Sequence, residues 1–442
     1  MAIQLSDHFT YRRLLRFAFP SILMLIFTSI YSVVDGLFIS NFVGKVSFAA
    51  VNFIMPFLMV MGAVGFMIGA GGSALIAKTL GEGDRVQADR LFSFFIYFSI
   101  FIGVVLSAVG MVSIRWVATA LGADESMLGD CVLYGRIILT GVPAFLLQFE
   151  LQSFFVVAEK PKLGLIFTLA AGLGNIVLDA LLVGILPLGL VGAAVATCMS
   201  EVIGGVIPLF YFARKNTSLL HLTGTSFMGK ELLKASSNGF SVFLSNVSMP
   251  MVNMLYNWQL MKFAGQSGVA AYGVLMYVCL IFISIFIGYS VGTAPIVGFH
   301  FGAGNQAELK NLLHKSLRIM LIFAFCMLTA GELLARPLSA LFVGYDEELM
   351  KLTLRGFRFF SFMFLFAAIP IFGSGFFTAL NNGFVSAMIS FLRTVIFQVA
   401  AVIVFPIFWG IDGIWCSIIA AEMVAALVTV FFLVTQRSRY NY

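Results

Sequence analysis

The sequence predicts an all-α polytopic membrane protein, with twelve transmembrane helices in two six-helix lobes related by a parallel internal repeat. Three observations predict it. Of 442 residues, 61% are hydrophobic and only 10% charged, against about 25% charged in an ordinary soluble domain. Apolar runs of about 20 residues, the length that crosses a bilayer, recur twelve times between punctuating glycines, prolines and charges. Glycines recur at a shift of 221 residues, the mark of a duplicated unit.

In order, the runs fall at 14–40, 51–78, 92–115, 132–157, 163–184, 189–213, 236–261, 269–299, 316–335, 349–379, 384–408 and 411–434. The first follows "DHFTYRRLLRF" and has no cleavage signal, so it is expected to be retained. The second is entered through "FVGKVSFAAVN" and left at "LGEGD"; its counterpart, the eighth, is left at "FGAGN". The fifth contains "GLGNIVLDALLVG" and the sixth "GLVGAAVATCMSE". The longest loop, 214–235, is too short for a soluble domain, so the division expected is lobe 1–213, linker 214–235 and lobe 236–442. Function must then reside in the bilayer.

At the 221-residue shift Gly44 falls on Gly265, Gly71 on Gly292, Gly81 and Gly83 on Gly302 and Gly304, Arg115 on Arg336, Gly135 on Gly356 and Ala158 on Ala379. Gly189, Gly192 and Glu201 likewise fall on Gly410, Gly413 and Glu422, so one ungapped offset is expected from the second span to the sixth. Six spans per half is an even number, so the second half re-enters in the orientation of the first. Parallel repeats of this kind occur among secondary transporters, and two such lobes can rock about their interface.

An even number of spans also puts both termini on one side. If that side is cytoplasmic, inner loops and ends hold 17 Lys and Arg and outer ends hold 8, with Arg393 left inside the eleventh span. Termini inside is therefore the expected orientation. The net charge of +6 is explained by this topology, so no nucleic-acid partner is expected. The five cysteines are isolated, with no CxxC or Cys/His cluster, and read as apolar packing residues. No metal cofactor is expected.

Asp35 stands in the first span, where a charge at the bilayer centre costs roughly 3 kcal/mol or more. It lies about five residues, roughly 8 Å, from the outer end. Asn175 and Asp179 are four apart and share a face of the fifth span, with Asp179 at the same depth. Thr197 on the sixth span reaches a similar depth and Asn52 opens the second nearby. Two carboxylates in a low-dielectric pocket resist simultaneous ionisation, so Asp35, Asn175, Asp179, Thr197 and Asn52 form a candidate site for H+ or Na+. Were Na+ the ion, Asp35, Asn175, Asp179 and Thr197 would be its ligands. At the 221 offset these four fall on Tyr256, Ile396, Ala400 and Ile418, so only the first lobe carries the acids.

Gln148, Glu150 and Gln152 on the fourth span and Asn253, Tyr256, Asn257 and Tyr277 on the seventh and eighth are candidates for a substrate cavity. Glu150 either faces the cavity and attracts cationic substrate or pairs with Arg393. Glu201 and Glu422, at equivalent positions, are read as structural. The 49 Phe and 21 Met suit irregular apolar ligands and organic cations. The four histidines stand at or beyond span ends, leaving no constellation for catalysis, so an enzyme is not expected.

Across essentially its whole length the chain resembles the multidrug and toxic compound extrusion (MATE) transporters. The resemblance rests on the twelve spans in two lobes, Pro20 and Asp35 on the first span, "FVGKVSFAAVN", "LGEGD", "FGAGN", and the pair Asn175 and Asp179 with Thr197, which is similar to the family's N-lobe cation site. It implies export of amphipathic, often cationic, compounds against inward H+ or Na+, a V-shaped central cavity, and a hinge at Pro20. One branch of the family places acids on the seventh and tenth helices; here those positions offer Asn253, Asn257 and no acid between Phe359 and Leu380, so coupling is expected in the N-lobe, with H+ ahead of Na+. Alternatives are another twelve-helix carrier and a lipid-linked oligosaccharide flippase of the same superfamily, though only Arg393 lies inside a span to meet a pyrophosphate. The expected setting is a bacterial inner membrane, with a monomer among lipid as the default.

Overall fold

Lipid offers no partner for backbone N–H and C=O groups, and an α-helix satisfies them within one segment. The computed structural model describes residues 3–442, apart from the side chains of Leu37, Ser40, Asn41, Lys45, Val46, Phe48 and Ser126, and helix is the only regular structure among the described residues. Three of those side chains belong to the "FVGKVSFAAVN" stretch and so lie outside the described residues.

The first half comprises α1 (Tyr11–Phe38), α2 (Lys45–Gly81), α3 (Arg85–Leu121), α4 (Glu125–Val157), α5 (Pro161–Ile185) and α6 (Gly189–Ala213). The second comprises α7 (229–264), α8 (266–302), α9 (Gln306–Val343), α10 (347–379), α11 (383–409) and α12 (411–435). Among the described residues nine continuous helices are long and apolar enough to cross a membrane, and a tenth span is α10, bent by 46° at residue 362. Two of the nine, Gly229–Gly302 and Gly383–Thr435, each hold two spans joined at a single glycine, which brings the number to the expected twelve.

Those joints explain why the repeat preserves its glycines. Gly265 (φ 58°, ψ −150°) and Gly410 (φ 56°, ψ −132°) take a conformation open to glycine and strained for side chains with a Cβ. Gly44 and Gly189, 221 residues earlier, also have positive φ. The offset is not ungapped, however. Helix caps Asp84 and Asn305 stand 221 apart, but Asp124 and Asp346, and Lys160 and Asn382, stand 222 apart. The added residue lies in α9, which has 38 residues against 37 in α3. The register returns to 221 by Gly410, beyond π-turns at Ala180–Ile185 and Leu392–Phe397, irregularities that absorb single-residue differences. Counted from the helix starts, Asn175 and Asp179 therefore match Phe397 and Ala401 rather than Ile396 and Ala400; all four are apolar.

The halves meet through small residues, which let helix backbones approach closely. A side chain on Gly71 would overlap the Ala235 carbonyl of α7, and one on Gly239 the Met67 carbonyl of α2. Gly81 and Gly302 bring α2 and α8 together in the same way, and Gly288 and Gly292 of α8 lie on Ile22 and Ala18 of α1. Ser29 and Ser284 hydroxyls hydrogen-bond at 2.7 Å. At the termini face a strap completes the closure: His8 Nδ1 lies 2.6 Å from Glu308, the Phe9 N–H donates to the same carboxylate at 2.9 Å, and Lys315 Nζ donates to the Phe9 carbonyl. Beyond Ser29, α1 makes no hydrogen bond to the second half among the described residues. The hydrogen bonds and glycine contacts that join the halves thus run from the termini face to the depth of Ser29.

Gly71→Val is expected to force α2 and α7 apart. Overpacking of this kind costs about 1–3 kcal/mol, so the thermal unfolding midpoint of the purified protein should fall; an unchanged midpoint would contradict the close approach.

Candidate functional site

Beyond the Ser29 contact, α1 carries Asp35 about 9 Å further along its axis, past the last hydrogen bond between α1 and the second half among the described residues. Tyr31 and Asp35 are one helical turn apart and share a face, as do Asn175 and Asp179 on α5. Asp179 is the last α-helical residue before the π-turn Ala180–Ile185, a distortion often found at functional positions. Helices α4 and α6 pack closely because Gly205 leaves room for the Ala144 carbonyl and Gly204 for the Gln148 side chain. Alongside those contacts Gly141 of α4 faces Cys198 and Glu201 of α6, and Tyr134 lies within electrostatic reach of both.

The Asp35 carboxyl lies within hydrogen-bonding reach of the Asp179 carboxyl. Asp179 is fully buried and Asn175 is 2% exposed, while Asp35 is half-buried. Neither oxygen of Asp179, nor Oδ1 of Asp35, nor Oδ1 of Asn175 meets a donor among the described residues. Ionised carboxylates only accept hydrogen bonds, so the two facing groups close a contact only when one carries a proton or a cation lies between them. Among the described residues no ion pair reaches Asp35, Glu150, Asp179 or Glu201. Burying such acceptors unmatched costs about 1–3 kcal/mol each, and more when charged. Gln148 Nε2 donates to the Tyr31 hydroxyl at 3.3 Å, and Tyr31, Tyr134 and Glu201 all lie within electrostatic reach of Asp35.

The structure thus brings Asp35, Asn175, Asp179 and Gln148 into one region, with the remaining candidates elsewhere or otherwise engaged. The Thr197 hydroxyl donates to the Ala193 carbonyl at 3.1 Å within its own helix. Asn52 is exposed on α2. Glu150 is fully buried near Ser99 of α3, with neither carboxyl oxygen meeting a donor among the described residues, so it lines no open cavity. It does not pair with Arg393, whose Nε donates to Glu422 instead. Gln152 is buried with Nε2 unmatched.

In the second half the Tyr256 ring is 1% exposed, its hydroxyl sits 2.9 Å from Ser417 Oγ, and it stacks on Tyr272 at 5.4 Å. Asn253 accepts from the Tyr272 hydroxyl at 2.9 Å, and Asn257 is half-buried on α7. Tyr277 is exposed and stacks on Phe342 of α9. Pro20 is buried within a continuous α1, between the Ala18 and Ile22 contacts to α8. Sequence reasoning missed Tyr31 and Tyr134. The four-residue spacing from Asp35 could have found the first; nothing marks Tyr134.

A family model described as MatE matches residues 20–181 and 242–404, one stretch in each half. The multidrug export protein MepA of Staphylococcus saprophyticus is 26% identical over 439 residues, covering 97% of this chain and 94% of its own length. MepA of Staphylococcus haemolyticus is 27% identical over 440 residues with the same coverage. Among solved structures, a multidrug resistance MATE family transporter of the MOP superfamily in an outward-facing conformation superposes with a TM-score of 0.93 at 22% identity, covering 100% of this chain and 98% of that one. A MATE structure in complex with MaL6 gives 0.93 at 22% identity over 98% of both chains.

Proposed function

We propose, given that this chain belongs to the MatE family, that it is a secondary active antiporter exporting amphipathic, often cationic, organic compounds in exchange for H+ or Na+ by alternating access of two lobes. The observation that carries the reading is the facing pair Asp35 and Asp179, whose buried carboxyl oxygens meet no donor among the described residues, on helices one turn or more beyond the Ser29–Ser284 contact between the halves. The staphylococcal relatives are named as multidrug export proteins, which supports the substrate class and a bacterial cell membrane. Transport, rather than catalysis, is the family's activity.

The division of labour follows the lobes 1–213 and 236–442 with the basic linker 214–235 between them. The Lys and Arg distribution supports cytoplasmic termini, so the cleft is taken to open outward. From that side a cation reaches Asp35 and Asp179, and a single proton closes the contact between them, which favours H+ over Na+. For Na+ the donors are the two carboxyls with Asn175 and, after its hydroxyl turns, Thr197. Neutralising the pair lowers the cost of closing the cleft over it. Pro20 removes one backbone hydrogen bond from α1 where that helix lies on α8, so bending there can transmit the change to the second lobe. The second lobe, without these acids, supplies the apolar wall against which aromatic and Met side chains accommodate irregular substrates. The partners are the lipid bilayer and small organic molecules, with no cofactor and no nucleic acid, and the protein is taken to act as a monomer.

The test is efflux of a fluorescent organic cation from proteoliposomes under an imposed pH gradient or an imposed Na+ gradient. Drive by the pH gradient is the expected result. Drive by Na+ alone would change the ion and keep the site; no efflux under either would overturn the antiporter and favour the flippase.

A further inference from the structure

The two glutamates that the duplication places at equivalent positions have opposite surroundings. On α12, Glu422 is 1% exposed and accepts from Arg393 Nε at 3.0 and 2.8 Å and from Gln398 Nε2 at 3.4 Å. On α6, Glu201 is 5% exposed, but its Oε2 meets no donor and no cationic side chain pairs with it among the described residues.

The difference originates on α5. The residue matching Arg393 is Ala171 when counted from the helix starts and Gly172 at the 221 offset, and neither has a charge. A Cβ on Gly172 would already lie 2.8 Å from Tyr31 Cδ1, so the Tyr31 ring fills the space that an arginine stem would need. The titratable groups within electrostatic reach of Glu201 are all acids or weak acids: Asp35 and Tyr31 from α1, Tyr134 from α4 and Cys198 from its own helix, with Asp179 of α5 acting on the same Tyr134. Gly141 of α4 leaves the space into which the carboxyl points, since a Cβ there would stand 2.5 Å from Oε2.

We propose that Glu201 is a third cation-binding carboxyl of the N-lobe pocket, holding a coupling H+ or Na+ of its own beside the Asp35–Asp179 pair. A carboxylate removed from water with no positive partner carries a penalty of several kcal/mol, and a bound proton or monovalent cation removes it. Arg393 performs that neutralisation permanently for Glu422. At Glu201 it is left to an ion that can leave. The pocket therefore holds two coupling cations, and the proposal rests on the antiporter reading above.

The experiment compares wild type, Glu201→Gln and Asp35→Asn in proteoliposomes, measuring ions moved per substrate and the limiting substrate accumulation under pH and Na+ gradients separately. Glu201→Gln is expected to keep transporting with one ion fewer per substrate, so that limiting accumulation falls about tenfold at a gradient of one pH unit. The gradient that drives the wild type identifies the ion. A wild-type ratio and accumulation in Glu201→Gln, with Asp35→Asn inactive, would overturn this proposal alone; wild-type behaviour of both variants would overturn the coupling reading as well. Should Glu201→Gln fail to fold, labelling of the wild type with a hydrophobic carbodiimide, which attacks protonated or cation-free buried carboxyls, decides instead. Modification of Glu201 but not Glu422, suppressed by raised pH or by Na+, supports the proposal, and equal or absent modification of the two overturns it.

Discussion

Asp35→Asn should reduce gradient-driven efflux by about 100-fold or more while leaving the protein folded in the membrane. The asparagine amide is nearly the shape of a carboxyl group but supplies a permanent N–H donor. Set against Asp179, it closes by itself the contact that in the wild type needs a proton or cation, so the pair stays in its loaded arrangement and the ion gradient no longer acts on it. The check is efflux under the driving gradient, together with the unfolding midpoint of the purified variant. Wild-type rates would overturn the proposed part of Asp35 in coupling. Asp179→Asn should behave alike, because the contact is symmetric in its chemistry even though Asp179 is the more deeply buried of the two.

Arg393→Ala should produce the largest loss of stability. The Arg393 side chain is 15% exposed and that of Glu422 is 2% exposed, and removing one member of a buried pair leaves an uncompensated charge at a cost of about 3–5 kcal/mol. The unfolding midpoint in detergent should fall by several degrees, and the double variant Arg393→Met with Glu422→Gln should recover most of it, since neutral replacement of both partners is often close to harmless. A wild-type midpoint for Arg393→Ala would show that Gln398 alone suffices for Glu422. Glu201→Gln, which removes no ion pair, should shift the midpoint much less.

Much of the architecture was legible because lipid imposes a simple rule: a spanning helix needs a long apolar run, and a charge inside one is costly enough to need a use. Asp35 and the pair Asn175 and Asp179 stood out for that reason, and depth and helical spacing led to the expectation that they lie together; the structure sets Asp35 and Asp179 within reach of each other. Depth says nothing of direction around the helix axis. Glu150 and Gln152 therefore looked like cavity residues, whereas Glu150 is buried beside Ser99 of α3. Tyr31 and Tyr134 carried little signal among the 49 Phe and 12 Tyr of the chain, although both surround the acids.

The sequence by itself determined the helical class, the twelve spans, the duplication and the restriction of paired acids to the first lobe, because hydrophobic run length and the rarity of intramembrane charge are local properties of the chain. The tertiary structure decided the rest. It showed that the repeat shifts to 222 residues through α4 and the start of α5, that the halves meet on small residues of α2, α7, α8 and α1, and that Glu201 and Glu422 are equivalent in sequence yet opposite in surroundings. Each of these depends on which residue a neighbouring helix brings within a few ångströms, here Arg393 beside Glu422 and Tyr31 in the space before Gly172, and that is set by packing between segments far apart in the chain.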